Sequence, residues 1–236
     1  MDESNPSGIF FLLLLVALYF FFRRPREKPL LSSSAKSIGE RGETLIYSVL
    51  RPLEKHGFKF LSNLYVPSGN DRRETTEIDL VMIGPCGVFI IESKNYSGWI
   101  FGNERNRYWT QVLYHEKHRF YNPIRQNHSH IRWLKKYIGY KTPVYSLIVF
   151  SDRCTFKDIT YESPEVSIIH RNELKNTVSR IIQNASIPWI SEEQVQEIFV
   201  NLSQFLNVPD VTKLKHMKDV KSEQNALNRV YIYLRM

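Results

Sequence analysis

The sequence predicts a mixed α/β sandwich, and three observations predict it. Two apolar, β-branched runs, Ile78 to Ile83 and Val88 to Ile91, flank the turn sequence Gly84-Pro85-Cys86-Gly87. Gly and Pro end strands and β-branched side chains favour them, so residues 74–98 read as a β-hairpin or a tight strand pair. Amphipathic helical patterns stand before and after this pair, and Pro143 to Phe150 is a third strong strand. Helix, strands, helix, strand, strand, helix describes a central sheet with helices packed on it.

The elements follow in order. Leu31 to Ser37 is Ser-rich and reads as a short linker. Gly39-Glu40-Arg41-Gly42-Glu43 opens a helix whose Leu45, Val49, Leu50 and Leu53 recur at helical spacing, ending before Gly57. Phe58 to Val66 reads as a strand and Pro67 to Thr76 as a polar, charged loop leading into the hairpin. The segment from Trp99 to Tyr121 is helix-poor, and its Trp99, Tyr108, Trp109 and Tyr114 are expected to pack over one edge of the sheet. Asn122-Pro123 starts a helix to about Tyr137, with Ile124, Ile131, Leu134 and Ile138 inward. A charged loop precedes a short fourth strand, Glu165 to Ile169. Asn172 is expected to cap a helix to Asn184, with Leu174, Val178 and Ile181-Ile182 as its apolar stripe. Ser191 caps another, with a stripe of Val195, Ile198, Phe199, Leu202 and Leu206.

Composition bounds the partners. The 236 residues carry a formal charge of +8, which favours polyanions or anionic lipid without choosing between them. Two cysteines, Cys86 and Cys154, match no metal-ligand spacing and no disulfide scaffold, so a reducing compartment is expected. Residues 9–22 are continuously apolar and followed by Arg23, Arg24, Arg26 and Lys28. A signal peptide would carry its basic group first, so this pattern is expected to be an uncleaved single span at the cell membrane. By the positive-inside rule its N-terminus lies outside and the soluble domain in the cytoplasm. The expected organisation is therefore an anchor with a basic segment at 1–30 and a linker at 31–37. A domain at 38–208, with its core motifs in 39–150, and a tail at 209–236 complete it.

The charges of the hairpin carry the chemistry. Asp79 lies inside the first run, and Glu92 and Lys94 lie just past the second. Alternate residues of a strand share a face, so Glu92 and Lys94 point the same way. Carboxylates are the oxygen ligands that Mg²⁺ prefers, supplemented by water and substrate phosphate. Asp79 and Glu92 could supply them from adjacent strand ends, Lys94 could orient an attacking water, and Glu43 could complete the shell. An edge salt bridge between Glu92 and Lys94, with Asp79 capping a turn, fits the same residues.

Several motifs in order resemble the NERD (nuclease-related domain) family. They are Gly39-Glu40-Arg41-Gly42-Glu43, Glu77-Ile78-Asp79-Leu80-Val81, Gly84-Pro85-x-Gly87-Val88-Phe89, Ile91-Glu92-x-Lys94-x-Tyr96-x-Gly98 and Asn122-Pro123-x-x-Gln126. The resemblance covers about residues 36–150 and implies the restriction-endonuclease-like, PD-(D/E)xK superfamily, with a mixed central sheet flanked by helices. By resemblance, Glu43, Asp79 and Glu92 take the acidic, metal-holding positions, Lys94 the lysine position and Gln126 a supporting polar one. Ile78 stands where the superfamily's name-giving motif has Pro. The implied cofactor is Mg²⁺ or Mn²⁺ and the implied activity is hydrolysis of DNA phosphodiester bonds at the membrane. The alternative is an inactive module that binds nucleic acid or a protein partner there.

Arg105, Arg107, Arg119 and Arg125 are expected to contact DNA phosphates beside this site. Lys135, with Arg132, Lys136 and Lys141, reads either as a phosphate-tracking row or as a plain solvated helix face. His115, His118, His128 and His130 read as surface or substrate-proximal histidines, since an i,i+2 pair on a helix does not face one way. No GxxxxGK[ST] phosphate loop occurs, which argues against ATP use.

Overall fold

The hairpin that dominates the sequence forms the middle of the main sheet. The computed structural model describes residues 32–70, 73–185 and 190–206. The chain divides into Met1–Ser37 and Ile38–Met236, and the packing below is that of the second unit. Helix α1 (Ser32–Leu50) passes into a 3-10 turn, Arg51–His56. Strands β1 (Lys59–Asn70), β2 (Arg73–Gly84) and β3 (Gly87–Lys94) follow, then β4 (Gly98–Asn103), β5 (Tyr108–Leu113) and β6 (Glu116–Tyr121). Helix α2 (Pro123–Ile138) leads to β7 (Val144–Phe150), β8 (Cys154–Thr160) and β9 (Val166–His170). Helices α3 (Leu174–Asn184) and α4 (Glu192–Ser203) complete the described chain.

The main sheet has the order β1-β2-β3-β7-β9, antiparallel through β3 and parallel beyond it. A strand buried on both faces needs a continuous apolar run, and Val88 to Ile91 supplies one at the sheet's centre. Val81, Ile83, Val88 and Ile90 meet Leu134 and Ile138 of α2 and Val195, Ile198 and Leu202 of α4. On the opposite face Leu80, Met82, Phe89, Ile91 and Val149 meet Ile46 and Leu50 of α1 and Leu174 and Val178 of α3. The hairpin closes at Gly84↔Gly87, where Gly87 has φ 131°.

Alternation along β1 and β2 breaks near Asp79, and the register shifts again between Pro67 and Asn70. Leu61 and Leu64, three residues apart, lie in the same apolar layer, as do their partners Val81 and Ile78. Between them Asn63 adopts φ 55°, the left-handed region that Asn tolerates better than most residues. This kink lies opposite Asp79 and reorients the strand pair there.

A second, four-stranded sheet has the order β6-β5-β4-β8. Its inner face, Ile100, Trp109 and Phe120, packs on Ile124, Ile148, Phe150 and Ile168. The segment Trp99 to Tyr121 is three paired strands; of the four aromatics expected over a sheet edge, Trp109 packs there against β7 and β9, whereas Trp99 and Tyr114 are exposed. The loop expected over Pro67 to Thr76 is instead a continuation of the ribbon, with Pro67 paired to Thr75. The charged loop expected before Glu165 contains strand β8. Asn172 does not cap α3; the side chains of His170 and Glu173 form a capping box, and the Asn172 N–H donates to Asp152 at 2.9 Å. Ser191 caps α4 with Gln194 in a capping box. Ser32 to Ser37, read as linker, is helical.

The membrane expectation is corrected as well. Among the described residues no helix is long and apolar enough to cross a membrane. The longest, α1, has 19 residues but carries Lys36, Glu40, Arg41 and Glu43. The apolar run at 9–22, and the tail beyond 206, lie outside the described residues. The single-pass anchor, the placement derived from it and the membrane as a partner are accordingly withdrawn.

Helix α1 approaches the end of β3 through Gly42, where a Cβ would lie 2.9 Å from Ser93 Oγ and 3.2 Å from Asn95 Cβ. A Cβ on Gly39 would meet nothing within 4 Å. Gly42→Ala is expected to lower unfolding stability in urea by ~1–2 kcal/mol through overpacking. Gly39→Ala is expected to raise it by up to ~1 kcal/mol through helix propensity. Equal effects of the two substitutions would refute the close approach.

Candidate active site

The C-terminal end of β3 gathers the charged residues. Lys94 Nζ donates to Glu92 Oε1 at 2.6 Å and to Gln126 Oε1, from α2, at 3.1 Å. The second oxygen of Glu92 faces His130 Nε2 at 3.2 Å, and His130 Nδ1 is 2.9 Å from Thr76 Oγ1 on β2. Asp79 Oδ2 accepts the Ser93 backbone N–H at 2.8 Å. β3 is an interior strand and Glu92 is 2% exposed, so the contact with Lys94 is no edge salt bridge.

Helix α2 is placed by two asparagines. Asn122 is fully buried; its Oδ1 caps the helix at Ile124 N, while its Nδ2 donates to the carbonyls of Asn103, Glu104 and Asn106. One side chain thereby ties the β4–β5 turn to the start of α2. Asn127 Nδ2 donates to Ile90 O on β3 and Ser146 Oγ on β7. These contacts fix the height at which Gln126 and His130 meet β3.

The two carboxylates are driven apart electrostatically. Burial and the neighbouring charge of Glu92 raise the Asp79 pKa well above the ordinary carboxylate value. For Glu92 burial acts in the raising direction, but Lys94 and His130 overcome it and the pKa is lowered. Burial would lower the Lys94 pKa; Glu92, Tyr96 and Asp79 together raise it instead.

The sequence-expected residues fall into two sets. Glu92, Lys94 and Gln126 touch, Asp79 joins them through charge, and Glu43 on α1 acts on Asp79 as a weaker raising charge. The expected three-carboxylate metal centre of Glu43, Asp79 and Glu92 is corrected: among the described residues no group of three or more His, Cys, Asp or Glu is placed to hold a metal ion. Both oxygens of Glu92 are engaged, one by Lys94 and one by His130. The second set lies away from β3. Arg105 pairs with Glu162 at 3.2 Å, and Arg125 donates to the Arg105 carbonyl at 3.4 Å. Arg107 and Arg119 lie over the Tyr108 ring. Lys135, nine residues beyond Gln126, is half a turn away around α2.

Sequence reasoning missed His130, which is 2% exposed rather than on the surface. Gln126 and His130 stand at i,i+4, and that spacing puts both on the face carrying the known polar motif. Thr76, expected in a loop, lies on β2, where its hydroxyl meets His130.

A carboxylate pair and a lysine at the end of a central mixed strand, supported by a polar side chain from the following helix, are the attributes of a nuclease-type α/β protein. The chain belongs to the NERD, or nuclease-related domain, family, whose profile matches residues 38–151, consistent with the PD-(D/E)xK-related nuclease superfamily. It is 30% identical over 180 residues to an uncharacterized Bacillus anthracis protein, covering 76% of this chain and 82% of that one. The crystal structure of a protein of unknown function, AF1548, aligns with a TM-score of 0.33 and 12% identity, covering 70% of this chain and 97% of that chain. Likeness at that level carries no argument.

Asp79 gives the site a distinctive stability profile. Because its folded pKa is raised, the folded state holds the proton more tightly, and stability is lost as pH rises from the ordinary carboxylate range through the raised value. Asp79→Asn keeps an acceptor for the Ser93 N–H and removes the charge. Thermal melts are expected to show the variant more stable than the parent at about pH 8, with the gap closing toward about pH 4, near the ordinary carboxylate value. A gap independent of pH would contradict this assignment.

Proposed function

We propose that the domain hydrolyses phosphodiester bonds in nucleic acid at the end of β3, with no membrane attachment needed for the chemistry. The observation that carries this reading is the convergence of Asp79, Glu92, Lys94 and Gln126 from three elements onto one strand end.

The donor set fits a divalent cation brought in with substrate better than a resident ion. Asp79 accepts the Ser93 N–H through Oδ2, and burial with Glu92 and Glu43 nearby raises its pKa more than the Lys94 charge lowers it, so a cation beside it would favour the ionised form. Mg²⁺ is commonly held by one or two carboxylates, with water and substrate phosphate completing the shell. Asp79 would hold it first, and Glu92 would be a second donor on rearrangement of its hydrogen bonds. When bound, Mg²⁺ or Mn²⁺ polarises the phosphoryl oxygen and acidifies a coordinated water.

The chain's own groups do the rest. Lys94 has three N–H donors and uses two, on Glu92 and Gln126. The third is directed to a phosphate oxygen or to the attacking water. Gln126 holds the ammonium in place without neutralising it. His130 fixes Glu92 from behind while Thr76 fixes the ring, so the carboxylate keeps one rotamer. An inactive module that only binds nucleic acid is the competing outcome.

Cleavage of plasmid and oligonucleotide DNA by the full chain tests this, with Mg²⁺, with Mn²⁺ and with EDTA. Asp79→Asn and Lys94→Ala are each expected to lower kcat by ~10²-fold or more, as for loss of a positioned acid–base or electrostatic group. The parent rate is expected to rise with pH, because Asp79 must lose its proton to accept a cation and does so above the ordinary carboxylate range. Turnover that persists in EDTA or in both variants would refute the site. Binding without cleavage at either metal would leave a binding module.

A further inference from the structure

The second sheet has an outer face that nothing described above uses. Cross-strand partners lie on one side of a sheet, so the pairs Trp99↔Val112, Phe101↔Thr110, Tyr108↔Tyr121, Thr110↔Arg119 and Val112↔Lys117 share a face. The opposite face carries Ile100, Trp109 and Phe120, which are buried in the core. The first set therefore looks outward. Trp99 is 51% and Tyr121 41% exposed.

Cations accompany these rings. Lys157, at the irregularity between β4 and β8, lies 4.8 Å from the Trp99 ring centroid. Arg107 and Arg119 lie 5.4 Å and 5.3 Å from the Tyr108 centroid. Lys117 adds a fourth positive charge, against Asp158 on the same side of β8. A core-facing sheet would not place lysine and arginine over its aromatics, and a merely solvated one would not spend tryptophan, phenylalanine and two tyrosines on water.

We propose that this outer face binds single-stranded nucleic acid, its rings stacking on unpaired bases and its Arg and Lys groups lying along the phosphates. Aromatic platforms interleaved with cations are what unpaired strands need, whereas a duplex hides its base faces and offers phosphates alone. In the chain this sheet adjoins the elements that carry Lys94 and Gln126. Strand β4 starts four residues beyond Lys94, and β6 ends five residues before Gln126. The inference rests on the nucleic-acid reading of the catalytic end and names its substrate class.

Fluorescence anisotropy of the full chain in EDTA, with a labelled oligothymidylate and with a duplex of equal length, tests the proposal. The single strand is expected to bind at least about tenfold tighter at one salt concentration. Trp99→Ala and Tyr108→Ala are each expected to weaken single-strand binding about tenfold and leave duplex binding unchanged, with Trp99→Phe and Tyr108→Phe restoring most of it. Arg119→Ala is expected to reduce the salt dependence, and Trp99→Ala to leave it unaltered. Thermal melts of each variant exclude unfolding as the cause. A preference for duplex, or full single-strand affinity in both alanine variants, would overturn the proposal. Hydrolysis of bis(p-nitrophenyl) phosphate, which offers no bases to stack, separates the two readings. Parent protein that binds single strands but hydrolyses neither ester nor DNA refutes the nuclease and leaves this surface standing. Ester hydrolysis without single-strand preference does the reverse.

Discussion

The contact between Lys94 and Glu92 sets the terms for the molecule. Taking a carboxylate and an ammonium out of water costs several kcal/mol per ion, and their attraction repays it only when the remaining hydrogen-bonding positions are filled. Glu92 fills its second oxygen with His130, and Lys94 fills a second N–H with Gln126. Both partners come from α2, so the charged strand end is tolerable only with that helix seated at one height and rotation. The Asn122 and Asn127 contacts serve this requirement. The Asn122 contacts also bind the site to the second sheet, because the carbonyls they use belong to the β4–β5 turn.

Two carboxylates with opposite fates follow from the same geometry. Glu92 sits among positive or donating groups and stays ionised, whereas Asp79 meets burial and two acidic neighbours. Environments that push neighbouring titratable groups apart divide roles between them. Glu92 is held ionised against Lys94 and His130, whereas the pKa of Asp79 is raised despite the nearby Lys94 charge. The Asn63 kink opposite Asp79 contributes by breaking the regular alternation of the ribbon at that position. A regular ladder through this point would place either Leu61 or Leu64 in the wrong layer.

Legibility in the sequence followed how local each signal was. The hairpin, the Asn122-Pro123 helix start and the Ser191 cap are encoded within a few residues, and the structure has them there. The order of motifs identified the family, which matches over residues 38–151. The second sheet was hidden because its strands are short and lack long β-branched apolar runs; Glu116 to Tyr121 places four polar or charged residues before two aromatics. The ribbon at 67–76 was hidden because it is polar and begins at a proline. His130 was hidden because its meaning depends on Glu92, thirty-eight residues away in sequence. The three-carboxylate centre failed for a related reason. Spacing can place Glu43 near a strand end, but it cannot show that Glu92 already has two partners.

The two sheets divide the work between them. The main sheet is covered on both faces by helices, so its chemistry can emerge only at a strand end, where the backbone leaves the ladder. The second sheet is covered on one face alone and has a whole surface to present. Three of its four strands, β4 to β6, are inserted between β3 and α2, the elements that supply Lys94 and Gln126. An insertion whose sole task was to support α2 would require the buried Ile100, Trp109 and Phe120 and the Asn122 contacts. It would place no requirement on the residues facing away. That these are aromatic and cationic, with rings and charges in contact, is the part of the insertion that support does not explain.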